Sequence, residues 1–167
     1  FFKELDVEPD VIIGDLDTIE IKTVSHKSTI VNENDQNKTD LEKSLDYCIA
    51  KNIKNIFIIG ATGEKDDHSL ANIMIAQQYS DTLNIEIVTN YFQIFFVNGS
   101  KEILEKKHRY LSMISLIADN RITTSGLEYN LSDQKLNSFS HGISNRIISD
   151  KCLIKSEEKL ILFIEIE

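Results

Sequence analysis

Short apolar runs alternate with helix-spaced apolar residues through the first half of the chain. Val11-Ile12-Ile13, ended by Gly14, has the pattern of a short buried strand. Leu41, Leu45, Cys48 and Ile49 recur at helical spacing and predict an amphipathic helix from Asp40 to about Lys51. Thr39, followed three residues later by Glu42, forms a capping box that satisfies two orphan backbone donors at its start. Ile56-Phe57-Ile58-Ile59, stopped by Gly60, predicts a parallel strand buried on both faces. After the Gly60–Gly63 turn, Leu70, Ala71, Ile73, Met74 and Gln77 predict a helix over His68–Tyr79, and Ile85–Thr89 predicts another strand. Strand, helix, strand, helix, strand implies an α/β domain with a mainly parallel sheet.

From about Asn90 the helical period fades. Gln93–Val97, Tyr110–Ile117, Arg121–Thr124, Gln134–Leu136, Arg146–Ile148, Lys151–Lys155 and Leu160–Ile166 are short and rich in β-branched or aromatic residues. Turn residues such as Asn98-Gly99 and Ser125-Gly126 separate them, which predicts an all-β, sandwich-like C-terminal domain. The expected division is therefore 1–90 and 91–167. No proline-, glycine- or serine-rich spacer lies between the halves, so close packing is expected.

Composition narrows the class. The chain has 167 residues, 41% of them hydrophobic, which excludes a disordered or fibrous protein. No apolar run approaches the roughly 20 residues needed to cross a bilayer, so no membrane partner is expected. Cys48 and Cys152 give neither a disulfide framework nor a metal spacing, and the cytoplasm is the expected compartment. Acidic side chains outnumber basic ones, 27 to 18, which argues against nucleic acid because phosphate backbones need a positive surface. The same excess suits magnesium, which carboxylates hold and which in turn holds phosphates. The first residue is Phe1, and a further N-terminal element is expected upstream.

Three constellations carry candidate chemistry. Gly14-Asp15-Leu16-Asp17 follows the first strand, where ligands of open α/β sheets bind. The alternative is a solvated acidic turn in which Asp17 caps a short helix. Asp35-Gln36-Asn37-Lys38-Thr39-Asp40 ends in a helix N-terminus, whose free N–H groups and dipole favour phosphate. Asp40 equally suits a plain dipole role. Gly60-Ala61-Thr62-Gly63 leads through Lys65 and Asp67 to His68 and matches neither the P-loop nor the dinucleotide fingerprint. His68 there is either a proton-transfer group or a structural helix start. All three are expected on one edge of one sheet. Asp15, Asp17, Asp40 and Asp67 together would be electrostatically costly without a divalent cation, which points to magnesium-assisted phosphoryl-type transfer.

With these residues in view, the sequence resembles the thiamine pyrophosphokinases. Pro9-Asp10-Val11-Ile12-Ile13-Gly14-Asp15-Leu16-Asp17-Thr18-Ile19 is similar to that family's strand and acidic turn. Asp35–Lys43 resembles its Asp-Gln-x-x-Thr-Asp-Leu-Glu-Lys signature. Gly60–Gly63 through Asp67-His68 and Asn72 is similar to its third signature, and Thr124–Tyr129 and Gly142-Ile143-Ser144-Asn145 to two motifs of its β domain. The resemblance implies transfer of pyrophosphate from ATP to the hydroxyl of thiamine, the hydroxyl attacking the β-phosphorus and AMP leaving. By that likeness Asp15, Asp17 and Asp40 would hold magnesium, with Asp67 the fourth catalytic acid. Gln36, Thr39, Lys65 and His68 would bind ATP, while Ser144, Asn145 and Tyr129 would seat thiamine. A homodimer is implied too, with thiamine pockets between the α/β domain of one subunit and the β domain of the other.

The chain departs from the family pattern at Gly63-Glu64-Lys65-Asp66-Asp67-His68, where the family reads Gly-Gly-Arg-x-Asp-His. Lysine keeps the charge without the planar fork of arginine. Two other readings remain open on the sequence: a nucleotide- or thiamine-binding module of impaired catalysis, and a diphosphokinase of another hydroxymethyl heterocycle.

Overall fold

The computed structural model describes residues 7–15 and 28–166. The chain divides into two compact units, 1–54 and 55–167. Among the described residues no helix is long and apolar enough to cross a membrane.

In the first unit, β1 (Val11–Gly14) and β2 (Thr29–Asn32) pair in parallel, with Val11 opposite Thr29 and Gly14 opposite Asn32. Helix α1 (Asp40–Ala50) packs on β1 and buries Leu45, which is 1% exposed. Its start is the expected capping box. The Glu42 N–H donates to Thr39 Oγ1 at 3.3 Å, and the Thr39 N–H donates to Glu42 Oε2 at 2.8 Å. Such a cap stabilises a helix by about 1 kcal/mol. At the other end Asn52 takes a left-handed conformation, φ +58°, just past the last turn, a common way for helices to end. Strand β2 was not anticipated, because four residues with only Ile30 and Val31 apolar give too short a pattern.

The second unit opens with β3 (Asn55–Ile59), α2 (Asp66–Tyr79) and β4 (Asn84–Val88), the two strands pairing in parallel. Six strands follow: β5 (Phe92–Leu104), β6 (Tyr110–Ser115), β7 (Arg121–Ser125), β8 (Gln134–Lys135), β9 (Asn145–Arg146) and β10 (Lys151–Glu165). All join one mixed sheet in the order β3-β4-β5-β10-β6-β9, with β7 and β8 attached through β10. The β4–β5 pairing is antiparallel, so hydrogen bonding continues across the change of sequence period near residue 90.

Strand β10 organises this unit. Along its inner face Cys152, Ile154, Ser156, Leu160, Leu162 and Ile164 are buried, the two-residue alternation resuming after a bulge. Val97 pairs with Leu160 and Gly99 with Ser156, so Glu157, Glu158 and Lys159 face Asn98 alone. Here the Asn98-Gly99 pair, read as a turn between strands, lies inside β5, and the two strands expected at 151–155 and 160–166 are one. Gly99, at φ +86°, supplies the backbone geometry that the irregularity needs. Buried Asn120 ties the bulge down: its amide donates to the Glu158 carbonyl at 3.0 Å and accepts from the Glu158 N–H at 2.9 Å. Past the bulge the free edge of β10 changes partner from β7 to β6. Leu111, Met113, Ile122, Leu127 and Ile147 complete the core, each such burial contributing about 1.5–3 kcal/mol.

Two expectations are corrected. Strand β3 is parallel but not buried on both faces: among the described residues it is an edge strand, and Phe57 and Ile59 are 68% and 62% exposed. Among the described residues β1 pairs with β2 and β3 with β4 in two separately hydrogen-bonded sheets, so the acids expected on one sheet edge follow strands of two sheets.

Candidate active site

The first unit brings two sequence-predicted features together. Helix α1 begins beside the end of β1, and Asp40 in its first turn reaches toward Gly14. A Cβ placed on Gly14 would lie 3.4 Å from Asp40 Oδ1 and 3.6 Å from Oδ2. Glycine therefore leaves the space beside the carboxylate open, and Asp15 is the next residue. Asp17 lies outside the described residues.

Around this point the polar run folds on itself. Asp35 Oδ1 accepts from the Asn37 N–H at 2.9 Å and from Asn37 Nδ2 at 3.1 Å, closing an Asx turn. Those hydrogen bonds hold the Asp35 carboxyl below its usual range, with Lys38 and Lys43 adding to the effect. The turn leaves Gln36 exposed. The Thr39 hydroxyl, a sequence-predicted ATP contact, is engaged in the helix cap. Lys43, which sequence reasoning passed over, is a buried cation whose Nζ lies 3.2 Å from Asp40 Oδ1. The three-residue spacing of Asp40 and Lys43 on a helix was the signal available for it. An open cavity of about 320 Å³ adjoins, lined by Ile13, Val31, Asp35, Lys43 and Tyr47 among others.

The donors here are carboxylate oxygens, the hard ligands that magnesium takes. Among the described residues no group of three or more Asp, Glu, His or Cys converges on one point. Magnesium suits such a set, since it commonly binds one or two carboxylates and completes its shell with water and substrate phosphates.

In the second unit Lys65, Asp67 and His68 stand at the start of α2, all three exposed. Asp66 and Asp67 complement the dipole of the first turn, and Asp67 Oδ1 accepts from the His68 N–H at 2.9 Å. The glycine loop before it is stapled to the helix. Ser69 Oγ accepts from the Gly63 N–H at 3.2 Å and donates to the Lys65 carbonyl at 2.7 Å, while Asn72 Nδ2 donates to the Ala61 carbonyl at 2.8 Å. Lys65 at the N-cap and Asp67 and His68 in the first turn thus face solvent from a loop–helix junction whose shape is fixed.

The remaining candidates share one corner of the β strands. Asn145 is buried, and both ends of its amide go to backbone: Oδ1 accepts from the Tyr129 N–H at 3.1 Å and Nδ2 donates to the Tyr129 carbonyl at 2.7 Å. The Tyr129 ring, 69% exposed, is thereby held at the surface. Ser144 adopts a left-handed conformation, φ +58°, strained for a residue with a side chain, and its N–H donates to Ser112 Oγ at 2.9 Å. Its hydroxyl is exposed and makes no hydrogen bond among the described residues. Of this pair, then, Ser144 offers a hydrogen-bonding group and Asn145 shapes the loop.

Comparison with known proteins places these features in one lineage. Residues 1–89 match the family model of the thiamin pyrophosphokinase catalytic domain, and residues 100–161 match that of the thiamin pyrophosphokinase vitamin B1 binding domain. Thiamin pyrophosphokinase 1 of Caenorhabditis elegans is 25% identical over 95% of this chain and 71% of its own length. Thiamine pyrophosphokinase 1 of Oryza sativa subsp. japonica is 30% identical over 92% of this chain and 65% of its own. The crystal structure of thiamine pyrophosphokinase from Bacillus subtilis superposes with a TM-score of 0.83 at 24% identity, covering 99% of this chain and 83% of that one. That of thiamin pyrophosphokinase from Candida albicans gives 0.82 at 20% identity, covering 97% and 74%. The structural likenesses establish the fold.

Proposed function

The chain belongs to the thiamin pyrophosphokinase family, and from that membership we propose that it transfers the pyrophosphate of ATP to the hydroxyl of thiamine, releasing AMP. The observation that carries this reading is the ordered pair of matches, a catalytic-domain model followed by a vitamin B1 binding model, with the exposed Asp40 carboxylate beside Gly14 in the first. The two matches also support a functional division into 1–90 for ATP and magnesium and 91–167, sandwich-like, for thiamine.

Asp15, Asp17 and Asp40 would hold magnesium, with Asp67 the further acid that binds metal or nucleotide. When bound, magnesium neutralises phosphate charge and orients the triphosphate. The rest is work for the chain's own groups. Gln36 contacts nucleotide or phosphate. The N–H groups at the start of α1, behind Thr39, favour an anion through the helix dipole. Lys65 meets the charge that develops as the bond to AMP lengthens, and His68 stands beside it at the helix start. The loop fixed by Ser69 and Asn72 delivers that charge with little reorganisation, the condition under which electrostatic stabilisation is most effective.

At the acceptor side Ser144 hydrogen-bonds thiamine, and Tyr129, held by Asn145, packs against it. The exposure of both residues supports a pocket completed by a second subunit in a homodimer. The compartment proposed is the cytoplasm, without nucleic-acid or membrane partners.

The test compares wild-type chain and Asp40→Asn for thiamine diphosphate formed from thiamine, ATP and magnesium. Wild type should accumulate product, and Asp40→Asn should be slower by about 100-fold or more, equivalent to about 2.7 kcal/mol of lost transition-state stabilisation. Equal turnover in the two proteins removes Asp40 from the mechanism, and a folded wild type without product refutes the activity.

A further inference from the structure

We propose that Lys43 is the positioning residue of this site: its buried ammonium grips the Asp40 carboxylate and holds it against the Gly14 turn. The inference rests on the reading of Asp40 given above.

The pair is asymmetric. The Lys43 side chain is 4% exposed while that of Asp40 is 67% exposed, with Nζ and Oδ1 3.2 Å apart. A lysine normally lays its methylenes along the surface and leaves its ammonium in water. Burial of the charge is unfavourable unless a partner compensates it, and here the partner is Asp40. In an ordinary surface pair three residues apart both ends are solvated, and each moves freely. Here the cation is fixed by packing and the anion is presented. A carboxylate that must face a cation and phosphates needs that arrangement, because an unrestrained aspartate would have to be ordered during each binding event.

Position in the fold supports the same role. Lys43 also lines the cavity next to α1, and its field reaches Asp35, so it serves as a resident positive charge among the acids at the start of that helix. The neighbouring Lys38 is joined to Asp46 at 2.7 Å. Burial together with a grip on a candidate ligand distinguishes Lys43 from it.

The experiment uses the full chain as wild type, Lys43→Met, Lys43→Arg, Asp40→Asn and the double variant. Two quantities are read: turnover with the KM for thiamine, and Mn2+ affinity by electron paramagnetic resonance with α,β-methylene-ATP bound. Lys43→Met should lose at least tenfold in kcat, with thiamine KM unchanged within twofold. Its Mn2+ affinity should weaken at least fivefold. Lys43→Arg should recover turnover to within threefold of wild type, and adding Lys43→Met to Asp40→Asn should change Mn2+ affinity no further. If Lys43→Met does not fold, Lys43→Gln takes its place under the same thresholds. Unchanged Mn2+ affinity overturns the proposal. So does tighter Mn2+ binding, the result for a lysine that merely competes with the cation. A wild type that binds Mn2+ yet forms no AMP refutes the activity alone, since the affinity comparison still decides the role of Lys43. A wild type that binds no Mn2+ overturns both.

Discussion

Gly14 and Asp40 meet across the start of α1: a Cβ on the glycine would sit 3.4 Å from the aspartate's Oδ1. The missing side chain keeps the approach to that carboxylate clear. Gly14→Ala places a Cβ beside the carboxylate at a backbone φ of +157° that side chains rarely adopt. It should therefore lower the melting temperature and reduce turnover by about tenfold, about 1.4 kcal/mol in the barrier. Thermal melts and kcat/KM measured together check this, and full turnover in the alanine variant would show that the space is not used.

Ser144 and Asn145 are adjacent in sequence and should respond oppositely. Asn145→Ala strips the Tyr129 backbone of two partners in a buried setting, so a loss of about 1–3 kcal/mol of stability is expected. Ser144→Ala removes an exposed hydroxyl with no hydrogen bond among the described residues, so the melting temperature should stay within about 1–2 °C while the KM for thiamine rises. Denaturant titration and steady-state kinetics on both variants separate the two roles.

Gly142, two residues before Ser144, is set by contact. A Cβ there would lie 2.2 Å from the Met113 carbonyl oxygen, backbone that cannot easily yield. Gly142→Ala should cost about 1–3 kcal/mol. For a chain of this size that lowers the melting temperature by about 2–4 °C per kcal/mol, and calorimetry will read it.

Cys152 is fully buried in the β core, and desolvation pushes its thiol up to about 11. The neutral thiol is favoured in the folded state, so its contribution is present below the unfolded value near 9 and is lost as pH rises toward 11. Unfolding free energy should therefore fall by about 1.4 kcal/mol per pH unit across that window. Cys152→Ala, compared by urea titration at pH 8.5, 10 and 11, should lack this slope. Cys48, only partly buried, should react with iodoacetamide in the native protein while Cys152 does not.

Much of this was legible in the sequence wherever one local rule decided the outcome. The Thr39–Glu42 box, the helix after it, the Val11–Ile13 strand and the βαβ of the second unit follow from spacing and capping alone. The bulge at Glu157–Lys159 was hidden because Asn98-Gly99 has the chemistry of a turn, and only pairing with a distant strand makes it part of one. The exposed face of β3 was hidden for a related reason. An apolar run shows that a strand is fit for burial, not which neighbour covers it. For the site, residue types were readable and partners were not. The hydrogen bonds of the Asn145 amide to the Tyr129 backbone and the burial of Lys43 against Asp40 depend on the folded chain and have no sequence signal beyond spacing.

The nucleotide product tests the central claim most directly. The purified chain, incubated with ATP, magnesium and thiamine, should convert ATP to AMP in step with thiamine diphosphate, followed by 31P NMR and chromatography. Formation of ADP with thiamine monophosphate, or no thiamine-dependent loss of ATP by folded protein, would contradict it.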